Sequence, residues 1–142
     1  MTLPRVAVVG AGTMGHGIAY AAALAGCSVA LTDARSDALP QAMAKIQSLL
    51  AGGLKRGKLT EADRARVYER LRAENALARA VDGAEVVIEA VIEDLNVKQR
   101  LFSEVERVAP AGALLASSTS SLSIGQIAAV LNEPGRLVGM HF

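Results

Sequence analysis

Cysteine occurs once, histidine twice, and aromatic side chains make up only 3% of these 142 residues, so several chemistries drop out at once. A lone Cys27 cannot close an internal disulfide, which fits a reducing compartment. No histidine, lysine or arginine adjoins it in sequence to lower its pKa, and its expected role is packing. Two isolated histidines without a cysteine pair supply no ligand constellation, so no metal is expected. Neither sign of charge dominates: 15 basic side chains face 14 acidic ones, for a net +1. With no basic block and no aromatic platform there is no case for nucleic acid, and partners should be small molecules or protein. Apolar residues reach 51%, yet every apolar run is interrupted. None approaches the ~18 residues of a membrane helix. Met1 to Arg5 leads straight into the first apolar segment, leaving no room for a secretion signal. The expectation is one cytoplasmic domain without membrane contact.

Glycine, by contrast, is placed with purpose. Val6-Ala-Val-Val-Gly10-Ala-Gly12-Thr-Met-Gly15-His-Gly-Ile-Ala19 sets an apolar strand, a Gly-x-Gly-x-x-Gly turn and a small-residue helix start in sequence. Gly10 permits the tight turn, Gly12 lets backbone approach a pyrophosphate, and Gly15 lets the helix lie close on the strand. Ala11, Thr13 and Met14 complete the loop, whose unpaired N–H groups at a helix N-terminus favour an anion. A second β-prone segment, Ser28-Val-Ala-Leu-Thr-Asp33, ends in an acid 18 residues past Gly15. There a carboxylate can accept hydrogen bonds from both adenosine ribose hydroxyls, which selects NAD. A 2′-phosphate would meet Asp33 as a like charge, although Arg35 softens that repulsion.

Strand and helix patterns alternate to the end of the chain. Leu39, Met43, Ile46 and Leu49 form one stripe on a helix from about 37 to 50, closed by Gly52-Gly53. After the basic turn Lys55-Arg-Gly-Lys58, Thr60-Glu-Ala-Asp63 opens a second helix to about Leu71. This helical hairpin over about 37–71 elaborates the usual single crossover helix and is expected to project from the sheet. Glu85 to Val91 reads as a strand buried on both faces, and Leu95 to Val108 as a helix with Val97, Leu101, Val105 and Val108 on one side. Ala113 to Ser117 and Arg136 to Met140 read as strands around a short helix at 124–131. The predicted fold is a doubly wound, mainly parallel α/β sheet of Rossmann type.

In such sheets ligands bind outside the C-terminal strand ends, and the polar candidates fall there. His141 follows the last strand and is the acid/base candidate near a hydroxyl or carbonyl. Ser120 can orient a substrate oxygen or simply cap a turn; it lacks the Gly-x-Ser-x-Gly elbow of a nucleophile. Lys98 can stay solvated or reach back to the cleft, and Glu93 can cap its helix or bind ribose. His16, in the first turn of the phosphate-binding helix, has no implied catalytic partner.

Taken together, Gly10 to Ala19, Glu89 to Lys98 with Leu101-Phe102, Ser118 to Leu122 and Gly139 to Phe142 resemble the NAD-binding domain of the L-3-hydroxyacyl-CoA dehydrogenase family, which includes 3-hydroxybutyryl-CoA dehydrogenases. The resemblance implies NAD-linked interconversion of 3-hydroxyacyl-CoA and 3-oxoacyl-CoA in fatty-acid metabolism. It makes His141 the catalytic histidine and Ser120 the serine that bonds the substrate oxygen. Asp33, Glu93, Lys98 and Ser118 become cofactor contacts. Lys55, Arg56 and Lys58 become candidates for the phosphates of coenzyme A, a solvated basic turn being the other reading. Family members commonly carry Asn where this chain has Ser118, which reaches less far.

The motif at His141-Phe142 continues in the family with a glutamate that orients the histidine and with a helical, dimer-forming domain. From these 142 residues alone the expectation is therefore NAD binding with little turnover, self-association through uncovered apolar surface, and a homo-oligomer, a dimer, for the full-length protein. Two other readings use the same residues: a dehydrogenase of hydroxy or sugar acids lacking coenzyme A, and a non-catalytic module that senses NAD.

Overall fold

The computed structural model describes residues 2–142. Six strands form one parallel sheet: β1 (Arg5–Val9), β2 (Ser28–Thr32), β3 (Leu71–Ala73), β4 (Val86–Glu89), β5 (Leu114–Ser117) and β6 (Leu137–Gly139). Their order is β3-β2-β1-β4-β5-β6. The chain winds outward from β1 in one direction through β3, then returns to add β4 on the other side. The crevice above β1 and β4 is thus the topological switch point.

Alternation along the strands explains the two-sided core. Val6 and Val8 point into one layer with Val29, Leu31 and Ile88, while Ala7 and Val9 point into the other with Val87, Leu115 and Leu137. The first layer is closed by α1 (Thr13–Ala25), α2 (Ala38–Lys55) and α3 (Glu61–Arg70), through Ile18, Ala19, Ile46, Leu50 and Val67. The second is closed by α4 (Leu77–Val81), α5 (Leu95–Val108) and α6 (Ile124–Ala128), through Val81, Phe102, Val105 and Ile127.

The helical hairpin differs from expectation in placement. Instead of projecting, α2 and α3 both lie against α1, and the Arg70 guanidinium donates to the Ala23 carbonyl at 3.4 Å. Its buried stripe is Leu39, Ala42, Ile46 and Leu50, so Leu49 is exposed; alanines and glycines complete a stripe that large residues alone misplace. Gly52-Gly53 does not end the helix, which runs on to Lys55; Gly53 is instead a packing glycine, where a Cβ would strike the Leu59 side chain. Thr60 and Asp63 form a reciprocal capping box: Asp63 N–H donates to Thr60 Oγ1 at 3.1 Å and Thr60 N–H to Asp63 Oδ2 at 2.8 Å.

Leu71 begins β3 rather than ending α3. That edge strand and α4 are too short to leave a periodic pattern. On α5 the buried face is Lys98, Phe102 and Val105, one position round from the predicted one, because a lysine occupies an interior position. Ile46→Ala is expected to cost about 2–5 kcal/mol in urea denaturation, against less than about 0.5 for Leu49→Ala. Equal effects would mean the hairpin does not pack on α1 as described.

Candidate functional site

A single register row crosses the C-terminal edge of the sheet: Thr32, Val9, Glu89, Ser117 and Gly139 are successive partners on β2, β1, β4, β5 and β6. Thr32, Glu89 and Ser117 in that row, with Lys98, are the buried polar side chains among the described residues. An all-parallel sheet normally buries apolar side chains on both faces, so polar residues concentrated at one end mark the functional edge.

The glycine loop lies over this edge. Gly10 turns out of β1 at φ 109°, its N–H bonded to the Thr32 carbonyl at 2.8 Å. A Cβ there would overlap the Ala90 carbonyl, and a Cβ on Gly15 would overlap the Gly10 carbonyl oxygen. Those two glycines answer to the protein's own packing. Gly12 does not, because a Cβ built on it meets nothing within 4 Å. It faces a cleft of about 590 Å³ lined also by Val9, Asp33, Arg35, Asn75 and Ile92. No side chain caps α1 above it and no acid occupies its first turn. The positive end of the helix dipole is therefore turned toward the cleft. His16 Nδ1–H donates to the Gly12 carbonyl at 2.8 Å, a bond within its own helix turn.

Asp33, half-buried, supports the loop directly. Its Oδ2 accepts from Ala11 N–H and its Oδ1 from Arg35 N–H, both at 2.8 Å. A carboxylate has about four acceptor sites, so both oxygens retain capacity toward ribose hydroxyls.

Beyond the end of β4, Glu93 gathers the loop after β5. It accepts from Thr119 Oγ1 at 2.8 Å, Ser120 N–H at 3.0 Å, Ser120 Oγ at 3.2 Å and Ser121 Oγ at 3.3 Å. Lys98 Nζ lies 3.4 Å from it. Burial by itself would raise the Glu93 carboxyl. The Ser120 N–H, the Thr119 hydroxyl and the Lys98 charge outweigh that and hold it at about 2. Glu93 does not cap α5; Asp94 does, accepting from Val97 N–H at 2.9 Å.

Lys98 departs most from expectation. It is 1% exposed and directs its ammonium at Glu89 Oε2, 2.5 Å away, rather than into the cleft. Glu89 was legible only as an acid bounding a strand, yet it sits at the centre of the edge. The available signal was a lysine nine residues later, on the buried face of the next helix.

The remaining candidates divide in two. Met140 N–H donates to the Ser117 carbonyl at 2.9 Å, which places exposed His141 at the same strand end as half-buried Ser118. Lys55, Arg56 and Lys58 are exposed at the tip of the hairpin. Arg56 lines a separate cleft of about 430 Å³ with His16, Lys45 and Ser48. Cys27 is partly buried against the first core layer. No helix among the described residues is long and apolar enough to cross a membrane.

A parallel sheet with this strand order, a close-packed glycine loop and an acid at the end of β2 defines a dinucleotide-binding domain. The chain belongs to the family described as 3-hydroxyacyl-CoA dehydrogenase, NAD binding domain, whose model matches residues 5–142. It is 39% identical over 142 residues to a probable 3-hydroxybutyryl-CoA dehydrogenase of Bacillus subtilis (strain 168), covering all of this chain and 49% of that protein. To the 3-hydroxyadipyl-CoA dehydrogenase of Escherichia coli (strain K12) it is 43% identical, covering 30% of that protein. Among solved structures, (S)-3-hydroxybutyryl-CoA dehydrogenase PaaH1 from Ralstonia eutropha superposes with a TM-score of 0.93 at 36% identity, over 99% of this chain and 49% of that one. The chain spans about half or less of the length of these relatives. NAD is accordingly the cofactor of the family to which it belongs.

The Glu93 carboxyl is expected to titrate near 2 in a side-chain NMR experiment, against an ordinary value of 4.5. Because its folded pKa is depressed, its contribution to stability is complete above the ordinary carboxylate range and fades as pH falls toward 2. Glu93→Gln should remove that part of the acid-induced loss. A midpoint near 4.5 would mean the loop contacts do not form.

Proposed function

We propose that this chain holds NAD across the C-terminal edge of its sheet and forms the cofactor half of an L-3-hydroxyacyl-CoA dehydrogenase. The observation that carries the reading is Gly12, a glycine with no packing reason to be one, beneath an uncapped helix N-terminus and beside Asp33. In this arrangement Gly10 to Gly15 receives the pyrophosphate and Asp33 holds the adenosine ribose. Glu93 and Ser118 face the nicotinamide half, and Lys98 serves from beneath by fixing Glu93.

Bound NAD supplies hydride acceptance and donation between C3 of a 3-hydroxyacyl-CoA and the nicotinamide. His141 removes the proton of the C3 hydroxyl at a ring nitrogen, or returns it in the reverse direction. Ser120 Oγ donates to the same oxygen and orients it. Lys55, Arg56 and Lys58 on the hairpin tip meet the phosphates of coenzyme A as charge-assisted contacts. The reading also places the protein in the cytoplasm, where Cys27 stays reduced, and makes the full-length protein a dimer. Exposed Phe142 offers apolar surface for that assembly.

Calorimetric titration of the chain with NADH is the test. Micromolar binding of NADH, with NADPH weaker by at least about tenfold, is expected from a like charge opposed to a 2′-phosphate. Asp33→Ala should weaken NADH by about tenfold or more. A sharper pair concerns the glycines. Gly12→Ala should leave folding stability within about 1 kcal/mol while abolishing NADH binding, whereas Gly15→Ala should disturb the fold itself. Undiminished NADH binding by Gly12→Ala would overturn the placement of the pyrophosphate.

A further inference from the structure

Glu89 is a buried carboxylate to which neither the cofactor reading nor the reaction gives a role. It is 1% exposed, at the end of β4 in the middle of the edge row. Its Oε1 accepts from Ser117 Oγ at 2.5 Å, and its Oε2 accepts from Val91 N–H at 2.8 Å and Lys98 Nζ at 2.5 Å. Burying an ion pair rarely adds stability over apolar packing of the same volume, so its retention asks for another reason.

That reason lies in where the two arms lead. Ser117 Oγ, which donates its hydroxyl hydrogen bond to Glu89, accepts in turn from Thr119 N–H at 3.2 Å. Lys98, held by Glu89 and also 3.4 Å from the Val91 carbonyl, lies 3.4 Å from Glu93. Glu93 in turn binds the Ser120 backbone and the hydroxyls of Thr119, Ser120 and Ser121. Both arms start at one carboxylate and end on the same few residues.

We propose that Glu89 is the positioning residue of the loop 118–121: through Ser117 on one side and through Lys98 and Glu93 on the other, it fixes Ser120 over the nicotinamide side of the cleft. Glu89 touches neither substrate nor cofactor. It acts by setting the orientation of groups that do. Shared between two carboxylates, the one ammonium also keeps Glu93 drawn inward. The proposal rests on the reading that the dinucleotide lies along this edge with its nicotinamide half toward β5.

The experiment uses the 142-residue chain and two variants, Glu89→Gln and Ser117→Ala. One readout is the affinity ratio of NADH to ADP-ribose, which isolates the nicotinamide half. The other is the backbone order and hydrogen exchange of Ser120 and Ser121 in the unliganded chain, positions that Glu89 does not touch. Expected in both variants are NADH binding weaker by about tenfold, ADP-ribose binding within about twofold, and lost order at Ser120 and Ser121. A fall in melting temperature with an unchanged affinity ratio and unchanged order would reduce Glu89 to a structural role and overturn the proposal. Should Glu89→Gln fail to fold, Ser117→Ala decides by the same readouts. Should the unaltered chain bind neither ligand, the cofactor reading fails, and the order of Ser120 and Ser121 in the variants still decides whether Glu89 positions the loop.

Discussion

Everything at the edge depends on how closely α1 sits on the end of β1. Gly15 presses against the Gly10 carbonyl with no room for a Cβ, and Gly10 itself lies against the Ala90 backbone beyond β4. These contacts fix the helix N-terminus above the switch point, because a larger residue at either place would lift helix from strand. The dipole of α1 then points into the cleft without a side chain to neutralise it. Asp33 secures the arrangement from β2 by binding the Ala11 N–H, so the residue suited to a ribose also shapes the anion loop.

At the loop after β5 the structure uses a different device. Instead of a helix terminus it uses charge: two carboxylates and one ammonium, with only Glu93 reaching the surface. A buried charge set of this kind is tolerable because each member is hydrogen-bonded, Glu89 to Ser117 and Val91 as well as Lys98. The glycine loop is thus held by backbone geometry and the loop after β5 by a polar network. One half is rigid through sterics and the other through electrostatics.

Much of this was legible in the sequence, for physical reasons that differ by element. The glycine loop, Asp33 and the long helix at 95–108 carry strong local signals, and the structure places them where the spacing put them. The helix start at Thr60 was equally plain, though not the reciprocal bond from Asp63. Illegible were β3 and α4, too short for periodicity, and the true buried faces of α2 and α5. On α2 the stripe is completed by Ala42 and Leu50, and on α5 it includes Lys98, which a count of apolar residues passes over. Glu89 was hidden for the same reason: its meaning depends on Ser117, 28 residues away, and only the strand register brings the two together. The family resemblance named Glu93 and Lys98 as cofactor contacts but not their order, in which Lys98 is buried behind Glu93.

In the proposed complex one extended ligand spans the edge from β2 to β5. Backbone amide shifts of the chain, followed by NMR as NADH is added, test it most directly. The largest changes are expected at Gly12, Thr13 and Met14, with a second group at Asp33 and a third at Ser118 to Ser120, all saturating at one NADH per chain. Changes confined to the hairpin tip at Lys55 to Lys58, or to the α1 loop without the β5 loop, would contradict it.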